Sequence, residues 1–153
     1  MNKRERVNAA LNHKKVDRVP IDFGGCGQTG ISASTLYQLR KALHLDDHPL
    51  PIQEVYQMFG VVEKDLLDLF ESDVIGLWNR SHMLGGVLEN FKPWNMFDGT
   101  PVLMPGDFEY TKDEKGDLLV YPGGDRTAAP SSKMPNGGYF FDNIVRTEGF
   151  DEN

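Results

Sequence analysis

The chain has 153 residues, 39% apolar and 25% charged, which suits one ordinary folded domain and argues against a disordered or membrane-embedded protein. A net charge of −7 disfavours nucleic acid as a partner, because phosphate binding needs a basic face. Cys26 is the single cysteine, which rules out an internal disulfide and a multi-cysteine metal site.

The opening fifteen residues lack a hydrophobic core and carry Glu5, so neither a secretory nor a transit peptide is expected. No apolar run approaches the roughly 20 residues of a membrane helix. A cytoplasmic location with no membrane partner follows as the expectation. Asn2 followed by Glu5 reads as an N-cap with its capping-box acid and predicts a helix over 3–13, with Val7, Ala10 and Leu11 on one face. Six Lys or Arg against Glu5 and Asp17 make residues 1–18 locally basic, as a solvated helix face would be.

Val19 to Phe23 reads as a short strand with Pro20 at its entrance, and glycines then break it. Ser32 or Ser34 can cap a second helix, whose stripe is Leu36, Leu39, Ala42 and Leu43, through Leu45. Asp46 to Pro51 reads as a loop. A third helix is predicted over 61–70, with Val62, Leu66, Leu69 and Phe70 inward. Asp73 to Trp78 is a continuous apolar run of strand length. Strand, helix, helix and strand predict a βα repeat on a parallel sheet.

Beyond Trp78 the chain turns rich in aromatic residues, glycine and proline. Strands are predicted over 101–104, 108–111 and 118–121, with Lys112 to Asp117 as a hairpin turn carrying its glycine late. Pro122 to Gly138 reads as a long functional loop, followed by a strand over 138–142.

Gly25 to Gly30 spells G-x-G-x-x-G, which marks a dinucleotide site only if a helix opens on its last glycine and an acid follows at a second strand tip. Both conditions fail. The helix signals lie at Ser32 to Ser34, and Asp46 and Asp47 sit in a proline-rich loop. The glycines instead let the backbone turn sharply and let something approach it after a strand. Asp22 points into a polar site or takes a structural partner such as Arg18. Cys26 reads as a small buried cysteine, having no histidine or carboxylate as its sequence neighbour. Arg80 could hold a carboxylate or phosphate, and His82 could shuttle protons.

The stretch Arg4 to Gly25, with its Asp17-Arg18-Val19-Pro20 turn, resembles the opening of proteins in the uroporphyrinogen decarboxylase superfamily. The spacing to Asp65–Trp78 is similar to that family's helix and second strand, and residues 101–142 resemble an insertion found in one of its branches. The resemblance implies the N-terminal part of a (β/α)8 TIM barrel, an α/β fold, carrying an antiparallel β-hairpin insertion. Residues 1–80 would be the N-terminal helix and first two βα units, 81–142 the β-rich insertion and 143–153 a truncated continuation. Such barrels need about 250 residues, so the chain would be a portion of one, inactive by itself, with an open sheet edge covered by the remaining barrel or by self-association.

Two chemistries are implied by the resemblance. The decarboxylases remove acetate carboxyls from a tetrapyrrole with an arginine pair after strand one and an aspartate after strand two. The cobalamin-dependent methyltransferases move a methyl group between a corrinoid protein and a thiol, with zinc held in their C-terminal half. Here no arginine lies between Arg18 and Arg40, and Asn79 and Arg80 stand where the aspartate would be. Methyl transfer is therefore the favoured reading, with uroporphyrinogen decarboxylation second. This chain itself would bind no cofactor; zinc and a corrinoid partner belong to the larger protein. Asp22, Gly24, Gly25, Gln28, Arg80 and His82 would line a small-molecule substrate site; no catalytic residue is assigned. A further alternative is a non-catalytic binding module presenting Trp78, Trp94, Tyr110, Tyr121 and Tyr139 on the aromatic hairpin.

Overall fold

The computed structural model describes residues 1–145. The first helix, α1 (Lys3–Leu11), starts as its sequence requires: the Asn2 side chain accepts from the Glu5 N–H at 2.8 Å, and the Glu5 carboxylate accepts from the Asn2 N–H at 3.0 Å. Its anchorage is not the expected apolar stripe, since Leu11 is exposed and the buried residue is Arg6. The second helix, α2 (Ala33–Ala42), begins after Ser32, and β1 (Leu50–Glu54) follows from within the stretch expected to be a loop. After β2 (Phe59–Gly60) comes α3 (Lys64–Leu69), shorter than its pattern suggested; Leu66 is buried while Leu69 faces solvent.

The remaining strands are β3 (Lys92–Asn95), β4 (Pro101–Met104), β5 (Thr111–Lys112), β6 (Leu118–Val120), β7 (Ser132–Met134) and β8 (Asp142–Asn143). They form two four-stranded sheets, ordered β2-β1-β4-β3 and β5-β6-β7-β8. The second is antiparallel throughout, and in the first only β1 and β4 run parallel, through Leu50–Val102 and Pro51–Leu103. β7 lies inside the segment expected to be a long loop, and β5 and β8 are shorter than or shifted from the strands expected there.

This arrangement overturns the expected barrel portion. Three helices and two small antiparallel or mixed sheets are not a run of βα units on one parallel sheet. The two segments expected to be its strands, 19–23 and 73–78, enter no ladder. Their hydrogen-bonding groups go elsewhere: the Asp73 N–H donates to the Ile21 carbonyl at 2.8 Å, but the Ile21 N–H goes to the Asp73 carboxylate at 2.9 Å and the Phe23 N–H to the Ser72 hydroxyl at 3.4 Å. Side chains thus occupy the positions a ladder would need. The hairpin expected near 112–117 does form, joining β5 and β6, with Gly116 at φ 83°. Of the proposed continuation over 143–153, residues 146–153 lie outside the described residues.

One core is shared by the two sheets, where Ile52, Val102 and Met104 of the first meet Leu118, Val120, Met134 and Phe141 around the second. Phe108 and Phe141 meet edge to face there, with centroids 5.9 Å apart. A smaller cluster of Leu36, Leu50, Val62 and Leu66 seats α2 and α3 beside β1, with Phe23 and Phe70 against it. Arg40, fully buried, ties these helices together: its guanidinium pairs with Glu63 at 3.0 Å and Asp65 at 2.9 Å, and donates to the Asp46 carbonyl at 2.7 Å. The hydrogen bond from Arg40 holds the Asp65 carboxyl below its ordinary range against a smaller desolvation effect, and the Arg40 pKa is raised in turn.

Candidate functional site

A buried ionic clamp fixes the segments on either side of the site. The Asp73 side chain is inaccessible to solvent and receives the Arg6 guanidinium, the Arg18 guanidinium at 2.6 Å and the Ile21 N–H. Arg6 also grips Asp17 through Nε at 2.7 Å and Nη2 at 2.9 Å, and the chain's amino terminus reaches Asp17 at 3.0 Å. Burial opposes ionisation of Asp73, but the Ile21 N–H and the two arginines outweigh it, and the carboxyl lies below its ordinary range. Hydrogen bonds from Arg6 and from the amino terminus hold Asp17 low as well. Arg6, Asp17 and Arg18 are therefore engaged in holding the fold together. They join α1 and the turn after it to Asp73, far along the chain, and set segments 19–25 and 73–80 side by side.

Between those segments, β1 and α3 lies a cavity of about 340 Å³. Its wall is mostly apolar, with Ile52, Val62, Leu67, Ile75, Trp78, Leu88 and Phe91, and it includes Gly24, Gly76, Asn79 and Arg80. Gly24 is required where it stands: φ is 76°, and a Cβ would run into the Val62 side chain. Gln53, Asn79 and Arg80 are its polar side chains, and of these Gln53 is the buried one. Its Nε2 is buried without a hydrogen-bond partner among the described residues, at the end of a β1 that places it in the wall. A buried N–H left unmade costs free energy unless water or another molecule supplies an acceptor.

The six residues expected to line one site are only partly together. Gly24 and Arg80 share this cavity. Arg80 stands at its exposed rim, where its Nη2 already pairs with Glu89 at 2.6 Å. Asp22 turns back on its own loop, accepting from the Gly25 N–H at 2.7 Å, and Gln28 is exposed in the same loop. His82 lies in a different cavity. Cys26 is half-buried; hydrogen bonds from the Thr29 hydroxyl and from the N–H groups of Gln28 and Thr29 pull its thiol below the ordinary value, against burial and the nearby Asp22 charge. Gln53 was not foreseen. In the sequence Gln53 stands beside Glu54 between Ile52 and Val55, and nothing there sets it apart.

The aromatic residues are dispersed in the same way. Trp94 and Tyr110 meet edge to face and share a hydrogen bond of 3.2 Å against the main core, whereas Tyr121 bonds Thr111 at 2.7 Å and Tyr139 is exposed. Among the described residues no group of three or more His, Cys, Asp or Glu is placed to hold a metal ion. No helix among them is long and apolar enough to cross a membrane. No protein-family model, no curated protein and no solved structure matches the chain.

Proposed function

We propose that this chain forms the small-molecule-binding face of an enzyme related in activity to the uroporphyrinogen decarboxylase superfamily, and that the reaction is methyl transfer between a corrinoid-carrying partner and a thiol. The observation that carries the choice is the lining of the Gly24–Gln53–Trp78 cavity. Mostly apolar side chains with two amides, Gln53 and Asn79, suit a small, uncharged, methyl-bearing molecule with few acceptor atoms. The acetate and propionate groups of a tetrapyrrole need cationic partners, and the cavity offers only Arg80, already neutralised by Glu89.

Equilibrium dialysis against a labelled methyl thioether, and separately against uroporphyrinogen kept reduced, tests the reading. Saturable uptake of the thioether and none of the tetrapyrrole is the expected result. Uptake of uroporphyrinogen with release of carbon dioxide overturns it.

A partner surface belongs to the same proposal. Val19, Ile75 and Leu77 are 78%, 72% and 94% exposed on the two unladdered segments beside the cavity, an apolar surface that a second copy of the chain would cover. Sedimentation velocity is expected to give a dimer or larger species that shifts to monomer in I75K/L77K. A wild-type chain that stays monomeric at high concentration contradicts this.

A further inference from the structure

The segment 139–142 and the turn between β1 and β2 enclose a surface cavity of about 340 Å³, separate from the one around Gln53. Backbone contacts fix both walls. The Phe141 N–H donates to the Tyr56 carbonyl at 2.7 Å, and the fully buried Phe141 ring meets Phe108 edge to face in the main core. Its neighbours Phe140 and Asp142 are left at the surface, where Phe140 is 56% exposed and Tyr139 49%. On the turn, the Glu54 carboxylate accepts from the Tyr56 N–H at 2.9 Å and from the Gln57 N–H at 2.6 Å, which holds Tyr56 and Phe59 in the wall as half-buried rings.

The wall is aromatic and carries a single charge. Tyr56, Phe59, Tyr139 and Phe140 supply the rings and Asp142 the one carboxylate, with no Lys or Arg among the described residues that line it. Tyr139 also borders a groove along α2 whose only charged residue is Asp98. Lys133, opposite Asp142 in the β7–β8 ladder, sends its ammonium to Asp117 at 3.1 Å. Burial, and then the Asp142 charge, hold the Tyr56 phenol above its ordinary value, so that ring stays neutral.

Aromatic rings around one carboxylate favour a cation, and the acceptors decide which kind. Asp142 Oδ1 already accepts from the Asn143 N–H at 2.8 Å and faces the Tyr56 hydroxyl at 3.5 Å. A primary ammonium carries three N–H donors, and against rings some of them go unmade. A quaternary ammonium has none to satisfy: its methyl groups pack on the rings while its charge meets Asp142. An anion would meet the Asp142 charge, and a neutral apolar molecule would leave that charge unanswered.

We propose that this cavity binds a small, choline-like quaternary ammonium compound, its methylated nitrogen among Tyr56, Phe59, Tyr139 and Phe140 and beside Asp142. The test titrates the whole chain with choline, with its neutral carbon analogue dimethylbutanol and with ethanolamine, following the aromatic ¹H–¹³C resonances of Tyr139 and Phe140. Choline is expected to move both saturably and to bind about 5-fold or more tighter than either of the others. Phe140→Ala and Asp142→Asn, both at exposed positions, should each weaken choline by about the same factor. If a variant fails to fold, the comparison of the three ligands on the wild-type chain still decides. No response to choline overturns the proposal. Equal binding of dimethylbutanol means a merely apolar groove and equal binding of ethanolamine a merely acidic one, and either result overturns it as well. So does binding to phosphatidylcholine vesicles without a response to free choline.

Discussion

Asp73→Ala is expected to cost about 3 kcal/mol of stability and to release α1 from the rest of the molecule. The magnitude follows from burial. Asp73 is inaccessible and satisfies two guanidinium groups and one backbone N–H; removing it leaves the buried Arg6 with only its Asp17 and Met1 contacts and Ile21 without an acceptor. Asp17→Ala removes a half-exposed partner and costs less. Urea denaturation measures the loss, and amide exchange localises it: protection in Val7 to Leu11 should collapse in Asp73→Ala before protection in β4 does. The same clamp sets an acid limit. The folded-state pKa of Asp73 lies below its ordinary 3.8, so the stabilisation is complete above that value. It is lost as pH falls below about 4 toward the folded pKa, because the unfolded chain takes up the proton first. The variant should show a shallower acid-side slope.

Gly24→Ala is expected to destabilise the protein by roughly 1–3 kcal/mol and to abolish uptake of ligand at the Gln53 cavity. Two effects add. An alanine is strained at φ 76°, and its Cβ collides with Val62, a wall residue that also belongs to the α2–α3 cluster. Gly27→Ala is the internal control, since Gly27 has an ordinary φ and nothing within 4 Å of an added Cβ. Thermal melts of the two variants should differ by several degrees, with Gly27→Ala at the wild-type value. If Gly24→Ala melts and binds as Gly27→Ala does, the loop plays no part in the wall.

What the sequence makes legible here is local. Asn2 and Glu5 announce the start of α1 because a capping box involves residues three apart, and the structure forms it. The start of α2 beyond Gly30 lies where the sequence puts it, although the Ser32 hydroxyl makes no capping hydrogen bond, and that start removes the helix a dinucleotide loop requires. Long-range pairing is not legible. Arg6 sits among solvated lysines and arginines, and its burial depends on Asp73, 67 residues away. Leu50 to Glu54 is masked by Pro49 and Pro51, although Pro51 needs no N–H there and its carbonyl accepts from Val61 at 2.9 Å. Asp73 to Trp78 has the composition of a buried strand, yet its first residues are engaged by side chains, and Ile75 and Leu77 face outward. Composition sets what a segment can become, and partners elsewhere in the chain decide. Gln53 escapes notice because an amide without a partner is a property of the folded wall.

The side-chain amide of Gln53 offers the most direct measurement. In a ¹H–¹⁵N titration with a methyl thioether, the Gln53 NH₂ and Trp78 indole resonances should move together and saturate, while the His82 ring stays still. Uroporphyrin should leave all three unmoved. Movement of Gln53 and Trp78 by uroporphyrin, or no movement by any methylated ligand, would contradict the assignment of this cavity as the substrate face.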